Sequence, residues 1–177
     1  MNPDFSKNHF ALFGFAVTFA IDTAALDRAY RDVQREVHPD RFANASDAEK
    51  RLAAQWATAA NVAYKTLKNP LARGRYILTL HGIDTEEESN TAMPVDFLMQ
   101  QMEWREAVVN ARQARDEVTL DELTRTWRAS EKTLVAQLAD ELSSDATRMN
   151  ARETVRKLRF LEKLGEEIDL AAEAIES

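Results

Sequence analysis

The 177-residue chain contains no cysteine, which excludes disulfides, thiol catalysis and cysteine ligation of zinc or iron–sulfur clusters by its own side chains. Its histidines, His9, His38 and His81, lie far apart, and none has the i, i+4 partner of a helical metal site. Phosphate loops, nucleophile elbows and glycine-rich nucleotide fingerprints are missing as well. The expectation is a chain with no cofactor, no metal and no catalysis of its own. Glycine and proline number four each, too few for the many tight turns of a β protein, so an all-α fold is expected. Long apolar runs are lacking too. The best candidate, 10–21, is too short to span a bilayer. Its length suits the apolar part of a signal peptide, but Asp4 precedes it and no small-residue cleavage site is clear, which favours a buried core segment. A cytoplasmic protein without membrane association is expected.

Acidic residues are plentiful. The net charge of −7 argues against a nucleic-acid partner, yet it conceals an asymmetry. Residues 1–80 carry 11 Lys/Arg against 8 Asp/Glu, a balance of +3, and 81–177 carry 12 against 22, a balance of −10. Two halves of opposite sign imply two surfaces with different partners.

Taken in order, Asn8 can cap a short helix at 9–13 that Gly14 ends. Asp22 or Thr23 caps a second helix with apolar Leu26, Tyr30, Val33 and Val37 at helical spacing. Arg28, Arg31 and Arg35 fall within roughly 60° of one another, almost opposite that stripe. Pro39 must stop this helix, which places His38 in its last turn and Asp40 in a following loop. Ser46 or Asp47 caps a third helix with Leu52, Trp56, Ala59, Ala63 and Leu67 as its stripe, and 71–80 forms a short fourth. The polar stretch 83–93 reads as a linker after a first domain at 1–82. The remainder, 94–177, patterns as three long helices at 94–114, 120–142 and 150–175, an antiparallel three-helix bundle.

The apolar pattern overshoots in two places. On the helix opened by Pro94, Phe97, Trp104, Val108 and Ala111 share a core face, while Leu98, Met99, Met102 and Val109 continue the apolar surface around the helix beside Glu103 and Glu106. A wide stripe can serve two neighbours in a bundle, and core remains an even reading for Leu98 and Val109. A Met/Leu patch rimmed by Glu also reads as an adaptable protein-binding surface. On the last helix Phe160 stands roughly 80° from the centre of the stripe, beside Arg152, Arg156 and Arg159. Taken alone, it reads more readily as a rim packing residue than as a binding one. The arginines of the second helix lack Asn or Gln base readers on their face, which sets aside a DNA-recognition helix.

A basic helix ending in His38-Pro39-Asp40, a following helix closing with Asn61-Val62-Ala63-Tyr64-Lys65-Thr66-Leu67-Lys68-Asn69-Pro70, and a short closing helix together resemble a J domain. The segments Phe10-Ala11-Leu12-Phe13-Gly14, Arg73-Gly74-Arg75-Tyr76-Ile77-Leu78-Thr79-Leu80-His81-Gly82, Phe97-Leu98-Met99 and 154–164 resemble the HscB family, J-proteins of bacterial iron–sulfur cluster assembly, and the likeness covers nearly the whole chain. The resemblance implies a J domain that docks on the ATPase domain of a DnaK-type chaperone, HscA, through His38, Pro39 and Asp40, with Arg28, Arg31, Arg35 and Arg41 steering the approach. It implies a C-terminal bundle that carries the scaffold protein IscU on Leu98, Met99, Met102, Glu103, Glu106 and Phe160. Stimulation of the chaperone's ATP hydrolysis would follow. The sequence departs from the family pattern at Arg41, where Lys is usual, at Met102, where Leu is usual, and at Asn110, where an acid is expected. The connection 143–150 is longer than expected, and the cysteine pairs of some eukaryotic relatives are missing. A J-protein serving another client, and a helical interaction protein with an accidental His-Pro-Asp, are the rival readings.

Overall fold

The computed structural model describes residues 6–87 and 92–176. Among them the regular structure is helical: α1 (His9–Leu12), α2 (Thr23–Glu36), a 3₁₀ turn (Pro39–Phe42), α3 (Asp47–Lys68), α4 (Pro70–Leu80), α5 (Val95–Ala114), α6 (Glu117–Glu141) and α7 (Ala151–Glu176). The chain forms two compact units, Met1–Ile77 and Leu78–Ser177. That division falls within α4, ahead of the composition change at 83–93, and part of that stretch, 88–91, lies outside the described residues.

Capping side chains start the helices as their chemistry dictates. Asn8 accepts from Ala11 N at 2.9 Å, Asp22 accepts from the amides of Ala24 and Ala25, and Ser46 and Glu49 close a capping box at the start of α3. Gly14 follows α1 with φ +77°, the left-handed value that ends a helix at low cost for glycine. α2 and α3 form an antiparallel hairpin. Asp27 meets Tyr64 and Lys68, Tyr30 stacks on Tyr64 at 4.1 Å and donates to Asn61, and Val37 packs with Ala53. The buried line of α3 runs through Ala53, Trp56, Ala60, Ala63 and Leu67, so Leu52 and Ala59 are flanking rather than central. α1 is held by His9, whose amide donates to Tyr76 Oη at 3.0 Å and whose ring stacks on Tyr76 at 4.2 Å. Arg73 is buried; it donates to the Leu67 carbonyl at 2.6 Å and lies 4.6 Å over the Phe19 ring, so hydrogen bonding and a cation–π contact offset its desolvation.

In the second unit α5, α6 and α7 pack against one another, α6 running opposite to the other two. Arg115 Nη2 reaches the Ile175 carbonyl, Trp127 Nε1 donates to the Leu161 carbonyl at 2.7 Å, and Arg105 pairs with Glu167. Val108, Ala111, Leu120, Leu161, Leu164 and Ile168 form the core, with Trp104, Trp127 and Leu134 packed on it. Gln101 is also buried, a polar side chain on the core face of α5 that the apolar pattern does not reveal.

Gly165 is a requirement of this packing. A Cβ added there would stand 3.0 Å from Trp127 Cε2 and closer still to Cζ2, so α7 lacks a side chain where the indole crosses it. Gly165→Ala gains about 1 kcal/mol of helix propensity and loses about 1–3 kcal/mol to overpacking. The expected outcome is a net loss of stability, read as a lower urea midpoint with an unchanged m value.

The hydrogen bond to Lys68, followed by that to Tyr64, holds the Asp27 carboxyl below its usual pKa, and the hydrogen bond to Asp27 lifts Lys68 above its own. A lowered carboxyl stabilises the fold above its unfolded pKa and loses that contribution as pH falls through the folded value; a raised lysine contributes up to its unfolded pKa and loses it as pH rises through the folded one. Asp27→Asn is therefore expected to be less stable than the parent near neutral pH, with the two thermal midpoints converging as the medium is acidified.

Candidate docking surfaces

Proline at position 39 shapes the first surface. Its ring disfavours helical geometry at His38, which adopts φ −58° and ψ 133°. α2 accordingly stops at Glu36 with Val37 as its C-cap, two residues before the proline, so His38 is outside the last turn where the helical pattern placed it. Asp40 is not in an irregular loop either. It is the second residue of the 3₁₀ turn Pro39–Phe42, closed by Arg41 N to His38 O at 3.0 Å.

The turn is anchored from both sides. Val37 is buried with Ala53 and Trp56, and Phe42 is half-buried against the same cluster. His38, Pro39, Asp40 and Arg41 are left exposed between these anchors, with 89% of the Asp40 side chain open to solvent. His38 Nδ1 lies 3.3 Å from Asp40 N and 3.5 Å from Asp40 Oδ2. The two contacts are alternatives: neutral Nδ1 accepts from the amide, and only a protonated Nδ1 can pair with the carboxylate. With Nδ1 free of a proton the imidazole braces the turn, and the carboxylate stays open to solvent.

α2 presents Arg28, Arg31 and Arg35 to solvent, and Arg41 extends the positive surface. Part of this charge is met within the helix, Arg28 lying 3.7 Å from Asp22 and Arg35 pairing with Asp32. Exposed pairs of this kind are weak and exchange readily with a partner's acids. Beside the turn, Val37, Pro39, Phe42, Ala53 and Ala57 line an open, mainly apolar groove of about 820 Å³. Phe42 and this groove escaped the sequence pattern, because Phe42 lies in the turn, outside any periodic helix.

The second surface is the outer side of α5. Met99 is 55% exposed and Met102 70%, Glu103 and Glu106 are exposed, and Leu98 is half-buried. Val109, ambiguous by periodicity, is exposed at 51%. Phe160 of α7 is half-buried, its ring meeting Phe97 edge-on at 5.9 Å and 88°. It is therefore packed at the rim and partly open to solvent. The Lys157 ammonium lies 5.9 Å over the opposite partner, Phe97.

Arg152, Arg156 and Arg159, which pattern alone leaves as a bare basic face beside Phe160, are engaged by residues 85–87. Arg152 pairs with Glu86, Arg156 lies 4.0 Å from Glu86 and donates to the Thr85 carbonyl, and Arg159 reaches Glu87 at 3.3 Å. Thr85 is buried, and Glu86 takes a left-handed φ of +53°, uncommon for a side chain of its size. This part of the acidic stretch 83–93 is thus tied to α7 rather than loose, because three arginines supply the countercharge. Among the described residues no cluster of His, Asp and Glu could hold a metal, and no helix is long and apolar enough to cross a membrane.

A family model, HSCB C-terminal oligomerisation domain, matches residues 93–169. The chain is 50% identical to the co-chaperone protein HscB homolog of Paraburkholderia phymatum over 172 residues, which are 97% of this chain and 98% of the relative. It is 47% identical to the corresponding protein of Azoarcus sp. over 177 residues, all of both chains. Among solved structures, chaperone HscB from Vibrio cholerae superposes with a TM-score of 0.84 at 34% identity, covering 96% of this chain and 99% of that one. Human co-chaperone protein HscB gives 0.83 at 34% identity, over 95% and 83%. With identity of this extent along both units, the chain belongs to the HscB family of co-chaperones.

Proposed function

We propose that this chain docks its His-Pro-Asp turn on the ATPase domain of an HscA-type chaperone, presents the scaffold protein IscU on the outer side of α5, and stimulates the chaperone's ATP hydrolysis during maturation of iron–sulfur proteins in the cytoplasm. The observation that carries the reading is the Asp40 carboxylate, open to solvent on a turn pinned by buried Val37 and half-buried Phe42. An exposed acid on a rigid support pays little conformational entropy when it meets a guanidinium on the partner. The arginines of α2 supply long-range attraction to an acidic chaperone surface and act mainly on the association rate. The apolar centre formed by Met99, Met102, Leu98 and the half-buried Phe160, with Glu103 and Glu106 at its side, has the anatomy of a transient protein interface. Hydrolysis takes place on the partner; the part of this chain is to bring scaffold and ATPase domain together.

Asp40→Asn keeps size and turn geometry but removes the charge. Stimulation of a purified HscA-type ATPase is expected to fall to the basal rate with that variant, while its circular dichroism spectrum and its affinity for IscU stay as in the parent; undiminished stimulation refutes the role of Asp40. Met99→Ala combined with Phe160→Ala is expected to weaken IscU binding by about tenfold or more in calorimetry, the scale of a lost interface anchor, and to leave stimulation by the chain alone intact. Unchanged scaffold affinity would remove the α5 surface from the mechanism.

A further inference from the structure

α5 exposes more apolar surface than the patch around Met99 and Phe160 accounts for. Val95 is 69% exposed, Met102 70% and Val109 51%, and they stand seven residues apart, so they fall almost in line along the helix. With Met99 they occupy a sector roughly 80° wide and about 21 Å long at 1.5 Å per residue. Beneath this strip Gln101, Val108 and Ala111 are buried, which fixes the rotation of α5 and keeps the strip outward.

Glu103 stands at one border of the strip, and Glu106 falls inside its sector, between Met102 and Val109. Glu103 and Glu106 are exposed, and among the described residues neither has an ion-pair partner. On the opposite border Leu98 is half-buried, and Arg105 is engaged with Glu167 at 3.2 Å. Arg112, on the same border beside Val109, is exposed, so the free charge is negative around Met99 and Met102 and positive at the Val109 end. A narrow, straight apolar line of this length matches the single stripe of a helix packed alongside, and two unpaired carboxylates select Lys or Arg at its flank.

We propose that the scaffold-binding surface extends along α5 from Val95 to Val109 and receives an amphipathic helix of the scaffold that carries basic residues beside its apolar stripe. This rests on the reading of α5 as the scaffold-binding side and adds Val95 and Val109 as contact residues. Shape and charge both bear on the occupant: a single inserted side chain would leave most of the line uncovered, and an acidic segment would face Glu103 and Glu106.

The test compares Val109→Asp, Val118→Asp and the Met99→Ala, Phe160→Ala pair in the full chain, by calorimetric titration with purified IscU and by sedimentation of the chain alone. Val118 is a valine on α6 that is 69% exposed, so it controls for the added charge. The expectation is that Val109→Asp weakens scaffold binding about tenfold or more, because a carboxylate is placed in the desolvated line, whereas Val118→Asp leaves it unchanged. Parent-like affinity for Val109→Asp, with the Met99, Phe160 pair still weakened, overturns the extension and spares the proposed function. Equal losses for Val109→Asp and Val118→Asp also overturn it, since bulk charge is then responsible. A change in self-association with scaffold affinity intact assigns the strip to a second copy of this chain and overturns the proposal. If the Met99, Phe160 pair binds normally, the α5 reading and its extension fall together.

Discussion

Burial of one apolar stripe per helix holds each unit together, and the other features depend on it. Without cysteine the chain has no covalent cross-link available, and every helix must therefore be positioned by the side chains it hides. A fully buried leucine contributes about 1.5–3 kcal/mol, so Leu26 and Leu67 in one unit, and Leu138, Leu161 and Leu164 in the other, outweigh any exposed ion pair on the surface. α7 takes this furthest, with Ala151, Val155, Leu158, Leu161, Leu164, Ile168 and Ala171 buried along its length and Gly165 admitting the Trp127 indole. The docking surfaces are what this burial leaves outside. Once Val108 and Ala111 face the core, Met99, Met102 and Val109 have nowhere to go but solvent.

The same packing converts a short motif into a directed group. Pro39 alone accounts for a break in the helix; it does not aim Asp40. Val37 and Phe42, pressed on Ala53 and Trp56, fix both ends of the turn, and the His38 ring braces the amide of Asp40 from within. The carboxylate then projects from a rigid base at the end of an arginine-bearing helix. Acid neighbours such as Asp22 and Asp32 temper that basic face.

The second unit separates charge from contact in another way. Glu86 and Glu87 occupy the arginines of α7, so the basic residues flanking Phe160 are spent within the chain, while Glu103 and Glu106 on α5 remain unpaired. The exposed apolar strip consequently has unpaired negative charge on the side of Met99, with Arg105 and Arg112 on the side of Leu98. The left-handed backbone at Glu86 is tolerated because two arginines hold its carboxylate.

Much of this was legible in the residue order. Period-3.6 patterns place α5, α6 and α7 within a few residues of their observed ends, the caps at Asn8, Asp22 and Ser46 follow from local chemistry, and the helical class follows from scarce glycine and proline. The existence of an overshooting apolar strip on α5 was equally visible, since helical angles depend only on spacing. Which side of that strip is wet was not. Periodicity cannot tell a second core face from an exposed one, and Val109 and Leu98 were settled only when α6 and α7 took their places around α5. Long-range pairing explains the rest: Phe42 closing on Trp56, Gln101 turning inward, Gly165 yielding to Trp127, and the acidic stretch at 85–87 reaching α7. Local sequence sets helices and their stops because those forces act within a few residues, whereas exposure and charge pairing depend on which neighbours distant segments bring.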